Sequence, residues 1–325
     1  MEKRIGLILG SFAPLHNGHV SLINFGVNNC DLLYVLLCSH DKEEISGEVR
    51  YKWLTEEFKS IDKIKIIHKD TSHMINTSVS NIDVSRDWSV YLKELFPDVN
   101  VIFTSEKYGD YVAEFMNIEH MQYDEKRLTN PISSTLIRER PLTYWDYLPK
   151  SVRPYYTKKI CICGTESTGK TTMTKLLSEY YNVRHAKEIG RDICSDTKIC
   201  SDDMISRIIV GQAEEINRNL GDKLLFSDTD LLTTVCYSKY LFNEVPTNIT
   251  KEIKDANVFD LYLYLWNDVP FVDDGGRMGE PKRSEFHELL YDTFKDKNIF
   301  VIKGNDYEKR FNICVDIINH FIGLN

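Results

Sequence analysis

Two apolar runs, Ile5–Leu9 and Lys159–Cys163, each lead directly into a glycine-containing loop that opens a helical pattern. This succession of strand, loop and helix is typical of parallel α/β folds, in which the loop binds phosphate groups. Apolar runs alternate with amphipathic segments after each loop. The sequence therefore predicts an α/β protein with two domains, residues 1–150 and residues 151–325. The boundary falls in the segment 140–158, which carries three prolines and five aromatic residues.

Each predicted domain is a parallel sheet flanked by helices. Strands are predicted at Ile5–Leu9, Leu32–Cys38, Ile64–His68 and Val101–Ser105, and then at Lys159–Cys163, Lys223–Phe226, Leu261–Trp266 and Ile299–Lys303. Helices are predicted at Gly18–Asn28, Glu48–Lys59 and Arg86–Phe96, and then near Lys170–Tyr181, Asp202–Asn219, Leu231–Phe242, Arg283–Lys295 and Tyr307–Phe321.

The first glycine loop carries His16 and His19, three residues apart at a helix start. Backbone N–H groups and the helix dipole favour phosphate there, and two imidazoles on the same side can stabilise charge on a transferring phosphoryl group. The alternative is that the histidines only cap the loop. The stretch from Gly10 to His19, with Ser11 and Phe12, resembles the GxFxPxHxGH motif of adenylyltransferases in the nucleotidyltransferase superfamily.

A second stretch of the first domain, Ile132–Arg138, resembles the ISSTxIR motif of the same superfamily. Ser133, Ser134 and Thr135 supply hydroxyl donors for phosphates, and Arg138 supplies a charged fork. A simple N-cap is the alternative reading of the hydroxyl residues. Trp88 lies where nicotinamide-nucleotide adenylyltransferases often carry an aromatic residue that stacks on the pyridine ring, but a core tryptophan is an equal alternative.

The second glycine loop is a complete G-x-x-x-x-G-K-T sequence between a strand and a helix. Backbone N–H groups of such a P-loop cradle phosphates, Lys170 reaches the β- and γ-oxygens, and the Thr171 hydroxyl binds Mg²⁺. The predicted loop contains Gly164, Thr165, Glu166, Ser167, Thr168, Gly169, Lys170, Thr171 and Thr172.

Acidic residues follow the next central strand of the second domain. Asp228 or Asp230 could supply the carboxylate that holds the metal, and the spacing does not separate them. An exposed helix N-cap is the alternative for Asp230. Glu188 and Arg191 could contact a nucleoside or begin a solvated helix.

The segment 272–277 joins a strand to a helix and contains two acidic residues, two glycines and an arginine. Such a loop can close over a transferred phosphoryl group, with Arg277 neutralising its charge and Asp273 and Asp274 near the substrate. A plain turn is the alternative.

The composition is that of a globular protein and argues against the disordered, fibrous and low-complexity classes. Hydrophobic residues make up 42% of the 325 residues, and 40 basic against 49 acidic residues give a net charge of −9. This balance does not favour nucleic acid as a partner. No Cys-x-x-Cys pair occurs among the eight cysteines. We therefore expect them to be buried thiols in a reducing compartment. No signal peptide or membrane span is predicted, so we expect a cytoplasmic protein.

Taken in this order, with Tyr144–Tyr147 and Pro149–Tyr156 between them, the two signatures resemble the bifunctional NadR family of NAD salvage. The resemblance implies an N-terminal Rossmann-like nucleotidyltransferase and a C-terminal P-loop kinase, both using ATP with Mg²⁺. The kinase would convert ribosylnicotinamide to nicotinamide mononucleotide, and the transferase would convert the mononucleotide to NAD. His16, His19 and Arg138 would hold ATP phosphates.

Two departures from the family pattern bear on function. The first strand begins at Ile5, so we do not expect the DNA-binding helix-turn-helix or the repressor role of some relatives. Phe271-Val272 stands where relatives often carry a tryptophan before the lid. The same chemistry on another nucleoside or on a phosphopantetheine-type acceptor, and a nucleotide sensor without turnover, are the competing hypotheses. A homo-oligomer is left open by the sequence.

Overall fold

The chain forms two compact units, Met1–Arg153 and Pro154–Asn325. The structure is a computed structural model that describes residues 3–75, 81–194, 200–272 and 279–324. Each unit contains one five-stranded parallel sheet flanked by helices. The predicted α/β class with two parallel sheets is therefore confirmed.

The first sheet has strand order β3-β2-β1-β4-β5. Its strands are β1 (Ile5–Gly10), β2 (Leu32–Ser39), β3 (Ile64–Asp70), β4 (Val101–Thr104) and β5 (Glu119–Gln122). Its helices are α1 (Asn17–Asn28), α2 (Gly47–Phe58), α3 (Ile82–Leu95), α4 (Tyr108–Met116) and α5 (Ser134–Glu139), followed by a 3₁₀ turn at Trp145–Tyr147. In this order β2 and β3 lie on one side of β1, and β4 and β5 lie on the other, so the order of the strands changes direction between β1 and β4. Ligands of open α/β sheets bind at such a switch point, beyond the carboxyl ends of the strands.

The second sheet has strand order β10-β9-β6-β8-β7. Its strands are β6 (Lys158–Cys163), β7 (His185–Ala186), β8 (Leu224–Asp228), β9 (Leu261–Leu265) and β10 (Ile299–Ile302). Its helices are α6 (Arg153–Tyr156), α7 (Lys170–Tyr181), α8 (Gly190–Ile193), α9 (Asp202–Arg218), α10 (Leu231–Phe242), α11 (Lys251–Ala256), α12 (Glu280–Phe294) and α13 (Tyr307–Ile322). The central strand β6 pairs with β8 on one side and with β9 on the other.

Burial explains why the central strands are continuous apolar runs. Every residue of β4, β8 and β9 is buried, because helices cover both faces of each sheet. Two edge strands escaped prediction: β5 is polar and mostly exposed along one edge, and β7 has only two residues. Pattern alone does not detect strands of this kind.

No disulfide joins the eight cysteines, all of which are described residues, but they are not all buried. Cys194 and Cys200 are partly exposed, which corrects the expectation of buried thiols. Cys194 directly follows the short helix α8, and Cys200 lies just before α9. Among the described residues, no helix has the length and apolar character needed to cross a bilayer.

Candidate active sites

The first candidate site is a cavity of about 460 Å³ at the carboxyl ends of β1 and β4. The predicted residues Gly10, Ser11, Phe12, His16, His19, Trp88, Ser133, Ser134, Thr135 and Arg138 all line it. The fold thus brings together the two motifs of the first unit, which are more than one hundred residues apart in the chain.

The two histidines are held as a stacked pair at the start of α1. Their ring centroids lie 3.7 Å apart with an interplanar angle of 19°. His19 Nδ1 accepts a hydrogen bond from the His16 backbone N–H at 3.4 Å, and Phe12 packs edge-on against His19. The buried Nδ1 of His16 has no partner among the described residues. An unpartnered imidazole nitrogen in a polar cavity is available to a ligand.

Both histidines are electrically neutral in this environment. Burial, followed by the charge of Arg127, lowers the pKa of His16 to about 4. Burial, His16 and Arg127 lower the pKa of His19 well below its ordinary value. The pair therefore provides hydrogen-bonding imidazoles at neutral pH, and an incoming phosphate would favour their protonation.

The second motif faces the glycine loop through hydrogen bonds. Ser133 caps α5 by accepting from Leu136 N at 3.3 Å, as the alternative reading supposed. Ser134 Oγ donates to Pro14 O at 3.2 Å, and Arg138 donates to Ala13 O and to Thr135 Oγ1. The motif that caps α5 therefore also lines the cavity.

Trp88 is a core residue that also borders the cavity. Only 2% of the residue is exposed, and its indole N–H donates to Ile75 O at 2.7 Å, so it is a core residue of α3. It also lines the cavity. A rigid, hydrogen-bonded indole wall can support a stacked ring without losing side-chain entropy.

Arg127 lines the same cavity and was not predicted. Its guanidinium lies 3.7 Å from Glu106 Oε1 and donates to Ile132 O at 3.4 Å. The backbone of Arg127 has a φ of 51°, and no local sequence pattern marks the position. Its positive charge lowers the pKa of both histidines, so an anion in this cavity would also lie within its influence.

The second candidate site is the P-loop between β6 and α7. Thr165 O accepts hydrogen bonds from Thr168 Oγ1 at 2.8 Å and from Lys170 Nζ at 3.0 Å. Gly169 has a φ of 88°, and a Cβ there would lie 2.5 Å from the Tyr307 ring. Glycine is therefore required at this position for both its conformation and its lack of a side chain.

The structure separates the two aspartates that the spacing left equivalent. Thr171 Oγ1 donates to Asp228 Oδ2 at 2.6 Å at the end of β8, and Asp228 Oδ1 is buried with no partner among the described residues. Burial, together with the charge of Glu188, raises the pKa of Asp228 to about 6. A hydroxyl and a carboxylate side by side at a P-loop suit Mg²⁺ on a nucleotide.

The side chain of Asp230 makes helix-capping contacts instead. Its Oδ1 accepts from Thr233 N at 2.9 Å and from Thr233 Oγ1 at 3.0 Å, so it caps α10. The cap is fully buried, not exposed as the alternative reading supposed, because the turn from β8 to α10 lies inside the unit. Burial raises the pKa of Asp230 to about 6.

Glu188 lies close enough to Asp228 to influence its ionisation. Arg191 Nε donates to Glu188 Oε2 at 2.9 Å, and Tyr237 donates to Glu166 Oε1 at 3.4 Å. Gln212, which was not predicted, holds the segment by accepting from Ile189 N and donating to Lys187 O. These residues join the P-loop in one polar cluster. The predicted lid residues Asp273, Asp274 and Arg277 lie outside the described residues.

Comparison with known proteins assigns the two units to families. Residues 7–140 match the cytidylyltransferase-like family, and residues 159–310 match the AAA domain family. The chain is 30% identical to the trifunctional NAD biosynthesis/regulator protein NadR of Escherichia coli K12, over 99% of this chain and 84% of that protein. The chain belongs to the NadR family. The NadR protein of Salmonella typhimurium LT2 is 31% identical with the same coverage.

Solved NadR structures share the fold. A crystal structure of NadR protein in complex with NR superimposes with a TM-score of 0.82 at 23% identity, covering 99% of this chain and 97% of that chain. A NadR structure with NAD and AMP-PNP gives a TM-score of 0.81. The first unit is also 26% identical to phosphopantetheine adenylyltransferase of Lactococcus lactis subsp. cremoris MG1363, over 43% of this chain and 83% of that protein.

Proposed function

We propose that the protein is a bifunctional enzyme of NAD salvage. The C-terminal unit transfers the γ-phosphoryl group of ATP to the 5′-hydroxyl of ribosylnicotinamide. The N-terminal unit transfers AMP from a second ATP to the resulting nicotinamide mononucleotide, which gives NAD and pyrophosphate. The observation that carries the proposal is the NadR similarity over 99% of the chain, which spans both phosphate sites.

Adenylyl transfer in the first unit rests on positioning. The mononucleotide phosphate is the nucleophile, so no covalent intermediate with the protein is needed. His16 and His19 would donate to the phosphates of ATP around the reacting phosphorus, while Arg127 and Arg138 would bind the departing pyrophosphate. Trp88 would support the pyridinium ring.

Phosphoryl transfer in the second unit uses the P-loop. Lys170 would leave Thr165 O to bind the β- and γ-oxygens of ATP, and Thr171 with Asp228 would hold Mg²⁺. The cation neutralises phosphate charge when it is bound. Glu188, which lies beside this carboxylate, would accept the proton of the attacking hydroxyl. Arg277 would close over the transferred group.

The proposed ligands are small molecules, with no nucleic acid and no membrane. The net charge of −9 supports this part of the proposal. The eight cysteines, none of which forms a disulfide, support a location in the cytoplasm.

A product-mass assay with ribosylnicotinamide, ATP and Mg²⁺ tests the proposal. The wild type should form the mononucleotide first and NAD afterwards. Lys170→Ala should abolish the first step, whereas Lys175→Ala, an exposed lysine on the same helix, should not. His19→Ala should abolish NAD formation from supplied mononucleotide, whereas His320→Ala on α13 should not. ATP binding with no product from either substrate would reject the enzyme in favour of a nucleotide sensor.

The similarity of the first unit to phosphopantetheine adenylyltransferase makes phosphopantetheine the acceptor to test against the mononucleotide. A panel scored by kcat/KM decides between them, because the phosphate chemistry is the same and only the far end of the acceptor differs. A second panel of nucleosides decides the substrate of the kinase in the same way.

A further inference from the structure

Each phosphate loop is held from behind by a fully buried arginine. Arg50 of α2 has no exposed surface and donates through Nη1 to Ser11 O, in the first glycine loop, at 2.6 Å. Arg310 of α13 also has no exposed surface and donates through Nη1 to Thr168 O, in the P-loop, at 3.1 Å. The two arginines come from unrelated sequence positions in different units, yet they make the same contact.

Both guanidinium groups also bind neighbouring carbonyls. Arg50 donates to Cys38 O at 3.4 Å and to Ser46 O at 3.3 Å. Arg310 donates to Trp266 O at 2.8 Å. A guanidinium has five donors in a rigid plane, so it can join several backbone segments at fixed angles in a way that an ammonium group cannot.

Each buried charge is paired with one carboxylate, Glu43 for Arg50 and Asp268 for Arg310. Burying a guanidinium is unfavourable unless it is paired and hydrogen-bonded, and both conditions are met. Arg50 does not line the first cavity, which places it behind the loop and away from the ligand.

The geometry of the peptide bond gives the contact a consequence for ligand binding. The C=O and N–H groups of a trans peptide point in opposite directions. With Ser11 O directed at Arg50, the next N–H, that of Phe12, points away from the arginine. Thr168 O and the N–H of Gly169 are related in the same way. Phe12 and Gly169 also both have left-handed backbones, with φ values of 49° and 88°.

We propose that Arg50 and Arg310 are positioning residues, each of which fixes one carbonyl of a phosphate loop so that the following amide N–H faces the phosphates of ATP. This inference rests on the proposed function for its assay. Backbone N–H groups aimed at phosphate are effective because they need no reorganisation when the ligand binds. Loss of the arginine would let the peptide rotate and withdraw that donor.

The two activities of one chain provide the control. Arg50→Gln should lower kcat/KM for ATP in NAD formation from supplied mononucleotide by about ten- to a hundredfold, as misplacement by about 1 Å can do, and leave phosphorylation unchanged. Arg310→Gln should do the reverse. Arg→Lys should keep more of each activity than Arg→Gln but less than the wild type, because lysine keeps the charge and loses the planar set of donors. Glu43→Gln and Asp268→Asn should give smaller losses in the same respective activities.

Other results would overturn the inference. If either Gln variant kept its kcat/KM per folded molecule and lost only thermal stability, the arginine would be structural. If both activities fell together in each variant, the effect would be general unfolding and not loop geometry. Should the wild type turn over neither substrate, the proposed function fails, but calorimetric ATP binding at the two sites still tests the arginines: each variant must weaken one site alone.

Discussion

Asp230→Asn should change the stability of the protein, whereas Asp228→Asn should change its activity. Asp230 is fully buried, and its Oδ2 has no partner among the described residues. Its pKa is raised from 3.8 to about 6, which corresponds to about 3 kcal/mol of unfavourable ionisation in the folded protein. Asn caps a helix as well as Asp does, so the cap is kept. Burial of its amide cancels part of the stability that is gained when the charge is removed. We expect about 1–2 kcal/mol of added stability at neutral pH.

The pH dependence gives the prediction its sign. Between the unfolded pKa of 3.8 and the folded pKa of about 6, the native protein binds more protons than the unfolded chain. Stability of the wild type therefore falls as the pH rises through this window, and the contribution of Asp230 to that fall is absent from the variant. The advantage of Asp230→Asn should be full above about pH 6 and should vanish below about pH 4.

Pulse proteolysis in urea, with fragments of residues 154–325 identified by mass, measures the effect across this range. Asp306→Asn is the matched control, because Asp306 caps α13 by accepting from Glu308 N and Lys309 N but is 48% exposed. Its effect on the free energy of unfolding should be small, because an exposed carboxylate keeps most of its water in the folded protein. Asp230→Asn should keep phosphorylation within a few-fold, while Asp228→Asn should lose it. A stability difference that is the same at both ends of the range, or loss of phosphorylation in Asp230→Asn alone, would refute the reasoning.

Three further predictions concern the phosphate sites. An NMR titration of His16 should show no protonation step between about pH 6 and about pH 8, because its pKa is about 4 and the ring is already neutral there; a step near the ordinary histidine pKa would contradict this. Arg127→Gln should raise the pKa of His16 in the same titration and raise the KM for ATP in NAD formation. Gly169→Ala should lower phosphorylation at least about tenfold because its Cβ meets the Tyr307 ring at 2.5 Å, whereas Gly323→Ala, with a φ of 71° and nothing within 4 Å, should not. Equal losses in the two glycine variants would indicate a general loss of stability and would contradict the role given to Gly169 in the P-loop.

Local sequence patterns predicted the groups of residues that lie close together along the chain. The glycine loops, the paired histidines and the Lys170–Thr171 sequence each lie within one strand–loop–helix unit, so spacing along the chain was enough to predict that these residues lie together. The strands that carry them were also predictable, because burial on both faces makes them continuous apolar runs.

The residues that were not predicted act across the fold. Arg50 and Arg310 reach their loops from distant helices, and Arg127 acts on His16 and His19 from a segment more than one hundred residues away in the chain. A single arginine in a helix or loop is usually a surface residue. The choice between Asp228 and Asp230 likewise depends on which carboxylate the Thr171 hydroxyl reaches, and two residues of separation along the chain hold no information on that point.

The contacts of Lys170 and Thr171 bear on the thermodynamics of nucleotide capture. Each side chain already donates to a protein oxygen, at 3.0 Å and 2.6 Å respectively. Capture of ATP with a metal ion would therefore exchange existing hydrogen bonds for new ones, so the binding enthalpy should be smaller than a count of ligand contacts suggests. A lone inorganic phosphate offers fewer partners for that exchange, so we expect it to bind this loop more weakly than the nucleotide does.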